Sequence, residues 1–172
     1  LIMTELSSSV SAAPTARIEA DPDVPIIRIT RDFAATPAQL FRAHTDPALI
    51  PLWWGPERTT TIVEKMDVRP GGEWHFTHRM PDGSGFWFRG EFREVVPPER
   101  LVQTSEFEGA LGNIVIDTIT FEEHDGKTTV TTLETCESQE VRDAIIASGM
   151  EGGLNESYER LDALITEQFA AR

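Results

Sequence analysis

The fold is decided by the last periodic stretch of the chain, residues 149–169, which reads GMEGGLNESYERLDALITEQF. Its apolar residues recur every three or four positions, as they do on the buried side of an amphipathic helix. These residues are Leu154, Tyr158, Leu161, Leu164, Ile165 and Phe169. A helix of about 20 residues is about 30 Å long, which is enough to cross a whole sheet. The sequence therefore predicts a long C-terminal helix that covers a sheet.

Segments with the two-residue period of half-buried strands precede this helix, and turn residues separate them. The predicted strands are residues 25–33, 59–68, 73–79, 86–96, 101–107, 114–123 and 127–136. Asp125 and Gly126 both tolerate positive φ, so they predict a tight hairpin between the last two strands.

Short helices are predicted at two places. Thr36 followed by Pro37 is typical of a helix start, and Asp46 followed by Pro47 repeats that signal for a helix of about one turn. A further short amphipathic set, Val141, Ile145 and Ile146, ends at Gly149.

The order of elements indicates an α+β fold, β-α-α-β6-α, in which a curved antiparallel sheet wraps around the long C-terminal helix. Residues 1–23 are rich in Ser and Ala and have no sustained period, so we expect a disordered N-terminal tail. Residues 24–172 are expected to form a single domain.

Composition excludes several classes of function. Among 172 residues, 29 acidic against 15 basic side chains give a net charge of −14, which disfavours nucleic acid as a partner. The single cysteine, Cys136, excludes a disulfide framework and favours a reducing compartment, so we expect a cytoplasmic protein. No apolar run approaches the roughly 18 residues of a membrane span, so no membrane association is expected.

Several local strings carry a resemblance to a known family. They are Thr45-Asp46-Pro47, Trp53-Trp54-Gly55-Pro56, Arg69-Pro70-Gly71-Gly72, Gly90-Glu91-Phe92, Pro97-Pro98-Glu99-Arg100-Leu101, Arg142-Asp143, and Gly149-Met150-Glu151 with Gly153. Together they resemble the SRPBCC superfamily with the START or birch-allergen helix-grip fold. Within that superfamily they are most similar to proteins related to the C-terminal domain of the activator of the heat-shock-protein-90 ATPase. The resemblance spans about Ile27 to Leu164, and it implies a helix-grip fold with an internal cavity. Leu154 departs from the aromatic residue that the family pattern leads us to expect.

Aromatic residues on two neighbouring strands predict where a ligand would lie. Alternate positions of the third strand, and likewise of the fourth, are aromatic, so they would line the concave face if that face meets the long helix. A plain filled core would show the same pattern, and core packing also accounts for the two adjacent tryptophans. The residues predicted to bind a ligand are Trp53, Trp54, Trp74, Phe76, His78, Phe88, Phe92 and Leu154.

Polar residues within the strands are the remaining candidates for chemistry. His78 shares the aromatic parity and could hydrogen-bond a ligand or carry a proton near neutral pH, although a structural role is also open. Asp117 and Glu134 lie among apolar and Thr neighbours, where burial would raise the pKa of a carboxyl group unless Arg or Lys pairs with it. No catalytic residue is assigned. No histidine spacing indicates a metal site, and no glycine loop indicates a nucleotide cofactor.

Three hypotheses for function follow. The first is a binding protein that holds a small apolar or amphipathic molecule between sheet and helix, with Trp53 and Trp54 at the entrance. The second is an enzyme similar to the polyketide cyclases and aromatases of the superfamily, acting in the same cavity. The third is an interaction protein resembling the chaperone activator, although the family's chaperone-binding N-terminal domain is expected to be missing. A homodimer through exposed aromatic residues stays open.

Overall fold

The computed structural model describes residues 15–169. Its strands are β1 (Arg17–Ala20), β2 (Ile26–Phe33), β3 (Thr60–Met66), β4 (Glu73–Arg79), β5 (Gly85–Val96), β6 (Arg100–Phe107), β7 (Val115–His124) and β8 (Lys127–Thr135). Its helices are α1 (Pro37–Thr45), α2 (Ile50–Trp53), α3 (Gln139–Ala147) and α4 (Met150–Gln168), with a 3-10 turn at Glu108–Ala110. All neighbouring strands are antiparallel, in the order β1-β2-β8-β7-β6-β5-β4-β3. The predicted α+β helix-grip fold is confirmed.

Strand β1 lies within residues 1–23, the segment predicted to be a disordered tail. Arg17–Ala20 pairs with β2 and forms an edge of the sheet. Just before it, the backbone amide of Ala16 donates a hydrogen bond of 3.0 Å to the side-chain oxygen of Asn155 on α4. The sequence prediction therefore missed one strand, and residues 1–14 of the predicted tail lie outside the described residues.

Side chains alternate between the two faces of the sheet, and the inner face is apolar. On β2, for example, Ile27, Ile29 and Phe33 point inward and are each at most 2% exposed. The neighbouring strands continue this core with Leu101, Ile119, Phe121, Val130, Phe92, Trp74 and Phe76. The two-residue period of the sequence therefore identified the buried face.

The first helices begin as the sequence predicts. Thr36 caps α1, because its hydroxyl accepts a hydrogen bond from the Gln39 amide while the Gln39 side chain accepts one from the Thr36 amide. Pro37 occupies the first turn, where a backbone amide needs no partner. The second helix, α2, is a single turn, as Pro51 and the following Gly55 suggest.

Residues with positive φ mark two of the predicted chain reversals. Asp125 and Gly126 have φ of 48° and 76° and join β7 to β8 in the predicted tight hairpin. Gly149 has φ of 85° between α3 and α4, which confirms it as the stop of the shorter helix.

The C-terminal half of α4 anchors this helix to the sheet. Its buried residues all lie at position 157 or beyond. The Tyr158 ring packs edge-on against Phe33 with centroids 5.1 Å apart. Arg31, from the inner face of β2, donates two hydrogen bonds of 2.8 and 2.5 Å to the carboxylate of Asp162. Both contacts join helix and sheet through side chains.

The loop after α2 is fastened to the same half of α4. The Gly55 carbonyl accepts hydrogen bonds from the Ser157 hydroxyl at 3.2 Å and from Arg160 at 3.1 Å. Arg160 also donates to the Pro51 carbonyl at 3.2 Å. The segment that carries the adjacent tryptophans is therefore held by the helix.

Strands β5 and β6 lose regular pairing around Gly90. The Trp74 indole N–H donates a hydrogen bond of 3.1 Å to the Thr104 carbonyl across this position. A Cβ on Gly90 would lie 1.8 Å from that carbonyl oxygen and 2.6 Å from the indole nitrogen. Only glycine fits between the two strands here.

Gly90→Ala is therefore expected to lower the free energy of unfolding by about 2 kcal/mol, because the methyl group forces β5 and β6 apart. Urea denaturation measures the change. Gly152→Ala on α4 is the control, because an added Cβ there meets no atom within 4 Å. Equal urea denaturation midpoints for the two variants would show that the sheet accommodates a methyl group at position 90 without loss of stability.

Candidate functional site

The first half of α4 covers one end of the inner face only in part. No residue in 150–156 is buried, and a Cβ added to Gly152 or Gly153 would meet no atom within 4 Å. The inner-face residues at the sheet end from which α3 and α4 begin are only half-buried. They include Phe86, Phe88, Ser105, Val115, Asp117 and Glu134. We call this region, bounded on the helix side by Met150 and Leu154, the hollow.

One side of the hollow is aromatic. Phe88 stacks on Phe107 with ring centroids 4.9 Å apart, and Phe86 lies 5.9 Å from Phe107. The Trp54 ring meets Phe88 at 5.4 Å. Phe107 is 38% exposed, so this group is not closed off from solvent. We call Trp54, Phe86, Phe88 and Phe107 the aromatic wall.

The other side of the hollow carries two carboxyl groups, Asp117 and Glu134, which we call the carboxyl pair. They are register partners on β7 and β8, so their side chains project next to each other from the same face. Burial, and then the negative charge of Glu134, raise the pKa of Asp117 well above its usual value, and a hydrogen bond with Gln103 opposes this shift. Burial raises the pKa of Glu134 to about 7. At neutral pH the pair therefore retains a proton between them.

Arg31 and Arg142, whose charges act on Tyr158 and Cys136 beside the carboxyl pair, are engaged with other acidic groups. Arg31 binds Asp162, and the Arg142 guanidinium lies 2.9 Å from the carboxylate of Asp143 and donates to the Val24 carbonyl at 3.1 Å. Among residues 15–169, the ion pairs involve neither member of the carboxyl pair. The negative charge of the hollow is therefore not balanced by an ion pair within this part of the chain.

Two further titratable groups close to the pair are neutral. Burial raises the pKa of Tyr158 to about 12, and a hydrogen bond with Thr132 opposes the shift. Burial, followed by the charges of Glu134 and Asp117, raises the pKa of Cys136 to about 11. The thiol is therefore not an activated nucleophile at neutral pH.

His78 is fully buried next to the aromatic wall. Its Nδ1 lies 3.0 Å from the Thr61 hydroxyl, which itself donates to the Trp54 carbonyl at 2.5 Å, so Nδ1 carries the proton. Burial, with the Arg160 charge as a smaller cause, lowers the pKa of His78 to about 4. With this pKa, His78 does not exchange a proton near neutral pH, so it does not act as the proton carrier that the sequence suggested. A neutral ring remains, and its buried Nε2 has no hydrogen-bond partner within residues 15–169.

The predicted ligand residues fall into two groups. Trp53, Trp74, Phe76, His78 and Phe92 are each at most 4% exposed and lie in the core. Trp53 donates its indole N–H to the Ala43 carbonyl and lies away from the expected entrance. The residues at the hollow are Trp54, Phe88 and Leu154, all half-buried.

Several residues at the hollow were absent from the prediction. Asp117 and Glu134 were noted but not included, and Phe107, Val115 and Gln103 were overlooked. The signal was present, because Asp117 shares its parity with inner-face residues of β7. Register between strands, which places Gln103 opposite Asp117, cannot be read from one strand alone.

A separate depression of about 400 Å³ lies on the outer face between β4, β5 and β6. Ion pairs at its walls join Lys65 to Glu73 at 2.5 Å and Arg89 to Glu106 at 2.9 Å. The sequence did not predict it, because its charged lining looks like an ordinary solvated face.

Within residues 15–169, no group of three or more His, Cys, Asp or Glu side chains is placed to hold a metal ion. None of the helices in that range combines the length and apolar character needed to cross a membrane.

Comparisons with known proteins agree with this architecture. The crystal structure of protein Ms6760 from Mycobacterium smegmatis is 28% identical, covers 88% of this chain and 97% of its own, and has a TM-score of 0.79. A crystal structure from Rhodobacter sphaeroides is 26% identical, covers 90% of this chain and 99% of its own, and has a TM-score of 0.82. A search of curated proteins finds no match.

A more distant structure shares only the fold. DynU16, a putative protein in the dynemicin biosynthetic locus, is 19% identical with a TM-score of 0.61, covering 84% of this chain and 48% of its own. The model of the family described as Activator of Hsp90 ATPase homolog 1-like protein matches residues 34–166. That match includes every strand from β3 to β8 and most of α4. The chain therefore belongs to the Activator of Hsp90 ATPase homolog 1-like family.

Proposed function

We propose that this protein binds an amphipathic small molecule in the hollow. The apolar part of the ligand packs against the aromatic wall and Leu154, and its polar end meets the carboxyl pair. The observation that carries the proposal is the partial exposure of inner-face apolar side chains beneath the unburied half of α4. An apolar pocket with a few convergent polar groups is the usual form of a small-molecule site. A cytoplasmic setting suits the buried free thiol of Cys136.

Decanol is a suitable first probe, because it has an apolar chain and an uncharged polar end. We expect it to shift the NMR signals of Phe88, Val115 and Leu154. Leu154→Trp is expected to weaken decanol binding at least about tenfold, because an indole would occupy the hollow. Leu52→Trp is the matched control, because Leu52 is 46% exposed on α2 and its replacement should leave binding unchanged.

Two outcomes would contradict the binding site. One is equal affinity of decanol for the Leu154→Trp and Leu52→Trp variants. The other is a set of shifts confined to the outer depression, for example at His75 and Arg89. Either outcome would show that decanol binds outside the hollow.

An enzymatic use of the same hollow is the second candidate, and the carboxyl pair favours it. A group with a pKa of about 7, as Glu134 has, can accept or donate a proton near physiological pH. A polyketide cyclase-like reaction would use the pair as acid and base. Mass spectrometry of a bound natural ligand recovered before and after incubation distinguishes the two functions, because a binding protein returns the ligand unchanged.

A further inference from the structure

The polar atoms of the hollow and its surroundings are mainly hydrogen-bond acceptors. The carboxyl pair offers four oxygens, and Gln103 supplies a hydrogen bond to one side chain, Asp117. Beside the aromatic wall, the Nε2 of His78 also has no partner within the described range 15–169, but His78 is a fully buried core residue and is not part of the hollow. Unpaired buried acceptors are costly, so a ligand that brings donors would gain more than one that brings acceptors.

The negative charge of the carboxyl pair also favours a ligand that brings hydrogen-bond donors. With Arg31 bound to Asp162 and Arg142 bound to Asp143, both nearby guanidinium groups already have a carboxylate partner. A cation from outside would let both members of the carboxyl pair ionise, and hydrogen bonds between charged groups are about twice as strong as neutral ones.

The side chains that neighbouring elements place beside the carboxyl pair do not change their protonation state near neutral pH. From β2, the register partner of Glu134 is the apolar Ile27. On β6, the register partner of Asp117 is the neutral Gln103. On α4, Tyr158 feels the charges of both carboxyl groups and is itself kept neutral by burial. Cys136 is neutral as well. Any proton exchanged on ligand binding near neutral pH therefore comes from the pair.

We propose that the ligand of the hollow carries a protonated amine that binds between Asp117 and Glu134, with an apolar body that runs along β6 to the aromatic wall. This inference rests on the proposed function. Gln103, beside the carboxyl pair, and Phe107 are four positions apart on β6, which is about 13 Å at about 3.3 Å per residue. The distance sets the length of the apolar body. A divalent metal ion fits less well, because it takes about six or more oxygen ligands.

Binding of the amine displaces the proton that the carboxyl pair holds. The ammonium group forms hydrogen bonds to both carboxylates, and the displaced proton passes to the buffer. A neutral ligand leaves that proton in place. Proton release therefore reports on the amine and not on occupancy of the hollow alone.

The test compares three probes with the same chain and different headgroups, decylamine, decanol and decanoic acid, by titration calorimetry at about pH 8, above the pKa of the Glu134 carboxyl group, where the carboxyl pair holds one proton. Two buffers with different ionisation enthalpies give the number of protons released. We expect decylamine to bind at least about tenfold more tightly than decanol and to release close to one proton. In the Asp117→Asn/Glu134→Gln variant, this preference and the proton release should vanish while decanol still binds.

The overall charge of −14 attracts any cation, so a control variant must remove two acidic charges elsewhere. Glu122→Gln/Glu123→Gln does so at exposed positions of β7 and should retain the preference for decylamine. The inference fails if decylamine binds no better than decanol, if decanoic acid binds best, or if both double variants lose the preference equally. In these cases decanol binding in the hollow would still support the proposed function, whereas absence of binding by all three probes would overturn both.

Discussion

Replacing Asp162 by asparagine is expected to lower the free energy of unfolding by about 3 kcal/mol. The Arg31 side chain is 1% exposed, and both of its terminal nitrogens donate to the Asp162 carboxylate. Asparagine removes the negative charge but leaves the guanidinium buried between β2 and α4. Because the change removes the carboxylate charge that accepts two hydrogen bonds from a buried guanidinium, the loss exceeds that of an ordinary hydrogen bond. Urea denaturation near neutral pH measures it.

The matched control is Asp46→Asn, which breaks the pair between Arg42 and Asp46 on the surface of α1. Arg42 is 61% exposed, so this change should cost no more than about 0.5 kcal/mol. Adding Arg31→Met to Asp162→Asn should recover part of the lost stability, since the buried charge is then gone. If Asp162→Asn and Asp46→Asn had the same effect, the contact between Arg31 and Asp162 would not be holding helix to sheet.

Replacing Glu134 by glutamine is expected to stabilise the protein in alkaline solution by about 2 to 3 kcal/mol and to have little effect in acid. Burial raises the pKa of Glu134 from 4.5 to about 7, so the folded protein binds this proton more strongly than the unfolded chain does. Stability therefore falls as the pH rises from about 4.5 to about 7, and glutamine, which cannot ionise, removes that loss.

Urea denaturation at about pH 4 and about pH 8 tests this prediction, because the two conditions bracket the window between the unfolded and folded pKa values. Glu122→Gln on β7 is the control, since its side chain is exposed and its removal should not change the pH dependence. A Glu134→Gln variant with the same loss of stability between the two conditions as the parent would show that Glu134 ionises in the folded protein without cost. The pH dependence of stability that remains in the Glu134→Gln variant is attributed to Asp117.

Much of the fold was predictable because its signals are local. The alternation along 73–79 gave the bounds of β4 without error, and Thr36 followed by Pro37 marked the start of α1. Strand β1 was not predictable for the opposite reason. It has four residues, little apolar character of its own, and a partner that is found only when β2 is in place.

The candidate site was less predictable, because it depends on distances between elements that are remote in sequence. Met150 and Leu154 continue the apolar spacing of α4 before Ser157, yet only residues from Ser157 onward are buried. Arg31 also carried a readable signal, because it shares the parity of Ile29 and Phe33, where a charge needs a partner. Its partner, Asp162, lies 131 positions away and could not be identified from the pattern.

The uneven burial of α4 has a consequence for how proteins of this kind change over generations. Residues from Ser157 onward hold the molecule together, so mutations there are removed by selection for a folded chain. The turns that precede them contain no buried residue, and a new side chain at Gly153 would meet no atom within 4 Å, so it could alter the shape and polarity of the hollow at little cost in folding. One continuous helix thus separates what must be conserved from what is free to diversify, and new ligand preferences can arise without a new scaffold.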